Sequence, residues 1–89
     1  KVNFKQDKQG YKTALDNLKR GNTFYDQGGF YMKDAIPFYE SAQLFNPNNA
    51  ELNYRLGVCY FFAHKNKKAI LRINNALELD PNVYWDSKY

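Results

Sequence analysis

The sequence predicts an all-α fold made of two repeated helical hairpins. Three observations predict it. The chain resembles itself when shifted by 34 residues. Its apolar residues recur at spacings of three and four. Pro, Gly and Asn clusters break it where helices have to end. At the 34-residue shift Lys33 falls on Lys67, Ala35 on Ala69, Ile36 on Ile70, Ala42 on Ala76, Pro47 on Pro81 and Asn48 on Asn82. Large residues coincide as well, Tyr39 with Ile73 and Phe45 with Leu79. Upstream the shift is 36, pairing Gly21 with Gly57, Phe24 with Tyr60 and Tyr25 with Phe61. The first unit therefore carries two extra residues, placed in the turn Gly28-Gly29-Phe30-Tyr31-Met32.

The first helix is expected over about 9–26, with Ala14, Leu15, Leu18 and Phe24 on its apolar side. Asp26-Gln27-Gly28-Gly29 breaks it. The second is expected over 34–45. Asp34 reads as its N-cap, and Pro37 then falls in the first turn, where a missing N–H costs nothing. Asn46-Pro47 ends it, because a residue before proline avoids the α region. The third is expected over 49–63, opened by a capping box of Asn48 and Glu51, with Leu52, Leu56, Cys59 and Tyr60 at helical spacing. His64-Lys65-Asn66 makes the next turn. The fourth is expected over 66–79, with Ala69, Ile70, Ile73, Ala76 and Leu77 as one apolar stripe. Val83 to Tyr89 reads as the start of a fifth helix.

Composition narrows the function classes. The 89 residues suit one small domain or a segment of a longer protein, and the first residue, Lys1, fits a trimmed or excised chain. The chain is 44% hydrophobic and 18% aromatic, enough for a core. Thirteen basic and nine acidic residues give a net charge of +4, spread along the chain and so imposing no particular partner. One cysteine, Cys59, excludes an internal disulfide and any cysteine-based zinc site. No apolar run approaches the roughly 20 residues of a membrane span.

The repeat resembles the tetratricopeptide repeat. The second unit supplies Tyr54, Leu56, Gly57, Tyr60, Ala69, Ile73, Ala76 and Pro81 at that family's spacing. The first supplies Gly21, Phe24, Ala35, Tyr39, Ala42 and Pro47, with Arg20 where Leu is usual. The resemblance implies a right-handed superhelix of two repeats, at about 14–47 and 50–81, followed by the start of a capping or third-repeat helix over 83–89. Small residues at Gly57, Ala69 and Ala76 would let paired helices approach, and each unit would cover its neighbour's apolar face. Residues 49–60 with 66–69 are also similar to repeat segments of bacterial cell-envelope proteins, including type IX secretion components, in which such repeats precede a β-propeller and an OmpA-like domain. That likeness implies a periplasmic or outer-membrane-associated location.

In this family, first-helix side chains line a concave groove. The resemblance places Lys19, Asn22, Tyr25 and Asp26 there from the first unit, and Glu51, Tyr54, Arg55, Val58 and Phe62 from the second, extended by Trp85 and Lys88. Tyr and Arg suit contact hot spots. The alternative for Tyr54 and Phe62 is packing beneath a neighbouring repeat. Some family members clamp a C-terminal carboxylate with Lys and Asn. Here Asn22 matches, but Leu18 occupies the lysine position, Lys19 is turned about 100° away, and Arg55 replaces the second Asn.

The expected function is a protein–protein scaffold taking a peptide or partner surface in the groove, with no catalysis, no cofactor and no small-molecule substrate. Its alternative is a spacer that braces neighbouring domains. A third and weakest reading is nucleic-acid binding by two basic clusters, Lys65, Lys67, Lys68 and Arg72, and Lys1, Lys5, Lys8 and Lys12. Such charges more often form a solvated face. His64 and Cys59 are five residues apart and do not face each other, and the acidic residues form no close pair. Exposed apolar ends of a short array also permit self-association.

Overall fold

A computed structural model describes residues 8–83 and, among them, contains four α-helices and no strand. They are α1 (Lys8–Gln27), α2 (Tyr31–Phe45), α3 (Ala50–Phe62) and α4 (Asn66–Leu79). Helix α1 packs on α2, α3 on α4, and α2 on α3, so two hairpins stack in sequence order. Trp85, Lys88 and nearly all of the expected fifth helix lie outside the described residues. Val83 is buried at their edge.

Each hairpin is closed by the same device. In the first, a Cβ on Gly21 would stand 2.6 Å from Tyr39 Cδ1. In the second, a Cβ on Gly57 would stand 2.6 Å from Ile73 Cγ1 and 3.1 Å from the Ala69 carbonyl. Gly21 and Gly57, like Tyr39 and Ile73, are partners in the internal repeat, so the self-similarity of the sequence is also a similarity of packing. Ala35, Tyr39, Ala42, Leu52, Leu56, Cys59, Tyr60 and Ala69 form the continuous core between the hairpins. Phe24 stacks on Phe38 at 5.7 Å, and Tyr11 meets Phe45 at 6.0 Å. Asn53 is fully buried. Its amide donates to the carbonyls of Pro47 and Asn49, and its oxygen accepts from Arg72, so the buried amide is satisfied on both sides.

Helix ends depart from the expected ones where local chemistry offered a choice. Helix α2 starts at Tyr31, three residues early. Gly28 and Gly29, both at positive φ, complete the turn by Phe30, and starting there buries Met32. Asp34 therefore lies inside the helix instead of capping it, and Pro37 sits in the interior. The cap of α3 is Asn49, not Asn48. Asn49 has the extended backbone that a cap requires, and its Oδ1 accepts from the Leu52 amide at 3.0 Å. Glu51 is thereby freed from a capping box and pairs with Arg55. Helix α4 has the expected limits, but its apolar stripe is only half covered. Ala69 and Ala76 are buried, whereas Ile70 is 60% exposed and Leu77 40%. The last two project to the side of α4 that turns away from α3.

Candidate functional site

Asn22 and Tyr25 are three residues apart on α1, and Glu51 and Arg55 four apart on α3, so each pair projects from one side of its helix. The stacking of the hairpins brings the two sides together at Arg55. Its Nη1 donates to Asn22 Oδ1 at 2.9 Å, and its Nη2 donates to Glu51 Oε2 at 2.9 Å. The guanidinium carbon lies 4.8 Å from the centre of the Tyr25 ring, within cation–π range. The Tyr39 hydroxyl donates to Asn22 Oδ1 as well, at 2.6 Å, and the Tyr25 and Tyr39 rings meet edge to face at 6.2 Å. The Asn22 oxygen thus joins α1, α2 and α3.

Arg55 is held on three sides, its side chain only 18% exposed. Two of its five N–H groups are used in these bonds, and its Nε is buried without a partner. Beside it lies a cavity of about 300 Å³ lined by Leu18, Asn22, Asn49, Glu51, Leu52 and Arg55. Its walls combine an apolar floor, a cation, a carboxylate and amides. Burial raises the Tyr25 phenol above its ordinary value, with the Arg55 charge acting in the opposite sense. Burial also pushes the Cys59 thiol up to about 12, again opposed by Arg55. A thiol so placed stays protonated near neutral pH and packs as a small core residue.

Of the residues the repeat resemblance places in the groove, Asn22, Tyr25, Glu51 and Arg55 are brought together. Lys19 and Asp26 are exposed on α1 and do not line the cavity. Tyr54 is half-buried, and Val58 packs partly into the core. Phe62 is half exposed at the far end of α3, beside the α1–α2 turn. The residue that sequence reasoning missed is Tyr39, taken only as a packing residue. The signal was its hydroxyl, which a buried position obliges to find a partner. Leu18 and Leu52 supply the apolar floor.

Two members of the basic cluster on α4 are engaged within the chain, while Lys65 and Lys67 are exposed. Arg72 bonds Asn53 at 3.0 Å, and Lys68 Nζ stands 5.7 Å from the Tyr60 ring centre. Among the described residues no group of three or more His, Cys, Asp or Glu gathers as metal ligands, and no helix is long and apolar enough to cross a membrane. Comparisons with protein-family models, curated proteins and solved structures find no match to this chain.

Proposed function

We propose that the chain is a tetratricopeptide-type repeat module that binds a peptide, or an extended segment of a partner protein, across the face shared by α1 and α3, with Arg55 as its central anchor. The observation that carries this reading is the state of the guanidinium. Asn22, Glu51 and Tyr25 hold it in place, and Nη1 and Nη2 each keep one N–H beyond the bonds to Asn22 and Glu51. An arginine already ordered loses less freedom on binding than a mobile one. The adjoining cavity offers donors at Arg55, an acceptor at Glu51 and an apolar floor at Leu18 and Leu52. A peptide presents the complementary set, with carbonyl acceptors, N–H donors and apolar side chains on one strand of chain.

The repeat assignment is supported by the matched glycine contacts of the two hairpins. The resemblance of residues 49–60 and 66–69 to cell-envelope repeat segments supports placing the module in a bacterial envelope or secretion assembly. The spacer reading has an observation of its own. Ile70, Leu71 and Leu77 leave an apolar side of α4 exposed, as a helix does when another repeat is to cover it.

Selection of peptides displayed on phage, carried out on this chain and counter-screened on Arg55→Ala, tests the groove. The expected result is a shared motif whose affinity falls about ten-fold or more on the variant, in line with an arginine hot spot, while the helical circular dichroism is kept. Peptides that bind both proteins equally, or no enrichment at all, would contradict it and leave the spacer.

A further inference from the structure

The loop end of the molecule differs from the Arg55 face and takes no part in it. The α1–α2 turn and the α3–α4 turn lie side by side there. Gly29, Phe30 and Lys33 from the first, with Phe62 and His64 from the second, line one open cleft of about 300 Å³. Phe30 is 84% exposed, Phe61 63% and Phe62 50%, and Tyr31 is exposed beside them. Phe30 and Phe62 line the cleft together, and Tyr31 and Phe61 are exposed next to them in sequence, which gathers apolar surface at this end. Cations accompany them. Lys33 lines the cleft, and Lys65 and Lys67, which follow His64 in sequence, are exposed, against two exposed acids, Asp26 and Asp34. Lys33 Nζ lies 5.8 Å from the Phe30 ring centre, so charge and ring share the same spot.

We infer that this end is a docking surface for an anionic lipid membrane. Phe30 in the first turn and Phe62 at the end of α3 line one cleft, so both rings can meet the same surface. Aromatic rings settle at the headgroup level of a bilayer, and lysines beside them are attracted by acidic lipids. Single-stranded nucleic acid also pairs aromatics with cations, but it needs a groove that follows a backbone over several nucleotides. The short cleft between the two turns offers none. The surface is separate from the peptide-binding face and does not depend on it.

Co-sedimentation with vesicles of phosphatidylcholine alone, and of phosphatidylcholine mixed with phosphatidylglycerol, tests the inference. The chain is expected to pellet with the mixed vesicles only, and less so as salt screens the lysines. Lys33→Glu with Lys67→Glu should weaken this binding by about ten-fold or more, each lysine near an acidic surface being worth roughly five-fold. Phe30→Ser with Phe62→Ser should weaken it by about ten-fold at constant salt. These side chains are exposed, so the helical circular dichroism should be unchanged. Arg55→Ala should bind vesicles like the parent chain. Equal binding to both vesicle types, binding to neither, indifference to loss of the two phenylalanines, or capture of an oligonucleotide in place of vesicles would each overturn the inference.

Discussion

The Tyr39 hydroxyl donates to the same Asn22 oxygen that receives Arg55, so one atom ties α2 to the α1–α3 face. Tyr39→Phe keeps the ring and removes the tie. It is expected to lower stability by about 1 kcal/mol, the usual net worth of such a bond, read as a lower urea midpoint with an unchanged slope. A second residue prediction concerns close approach. Gly57→Ala sets a methyl 2.6 Å from Ile73 Cγ1 and 3.1 Å from the Ala69 carbonyl, where neither backbone nor a β-branched side chain gives way easily. It should cost about 1–3 kcal/mol by overpacking. Alanine at Gly28 or Gly29 meets no neighbouring atom within 4 Å, and any loss there comes from the positive φ alone. Differential scanning calorimetry of the three variants separates the two causes. An unchanged melting temperature for Gly57→Ala would mean that α3 and α4 are not in close contact.

At the scale of the element, the α3 cap gives a sharp contrast. Asn49→Ala removes the acceptor for the Leu52 amide and should cost about 1 kcal/mol, whereas Asn48→Ala, exposed in the turn, should cost little. Urea unfolding of the two variants checks the difference. Proline in the interior of α2 offers the opposite prediction. Pro37 is exposed and removes the N–H that would bond the Lys33 carbonyl. Pro37→Ala should raise the melting temperature, the penalty for an interior proline being up to about 3 kcal/mol. These two elements also show how far the sequence could be read. The limits of α4 were legible because a turn precedes Asn66 and Pro81 follows the last turn. The α3 cap was misplaced by one residue because Asn46, Asn48 and Asn49 all have cap chemistry, and only backbone geometry selects among them. Asn22, Tyr25, Glu51 and Arg55 were among the residues that the repeat resemblance implies for the first-helix faces, but that resemblance did not set them apart from Lys19, Asp26, Tyr54, Val58 and Phe62. The role of Tyr39 was not legible, because a contact across three helices leaves no periodic trace.

Across the whole molecule, the buried thiol and phenols link stability to alkaline pH. Burial raises Cys59 from its usual 9.0 to about 12, and it raises Tyr25, Tyr39 and Tyr60 above 10.0. Between about pH 9 and 12 the unfolded chain has released the thiol proton that the folded chain still holds. The unfolded state then binds fewer protons, so stability falls as pH rises. It should be complete below about pH 9 and decline above it, the phenols adding to the loss from about 10 upward. Urea midpoints across this range check the decline, and Cys59→Ala should move its onset toward 10. The two stacked hairpins fix one guanidinium between α1 and α3, and the proposed function makes that face the binding face. Arg55 Nε–H, buried and without a partner, is a natural reporter of it. The most direct measurement is a nitrogen–proton correlation spectrum of the chain titrated with a selected peptide. The account predicts that the Arg55 Nε–H signal shifts together with the amides of Asn22, Tyr25 and Glu51. Shifts confined to Glu40, Leu44, Lys68 and Leu71, on the opposite α2–α4 side, would contradict it.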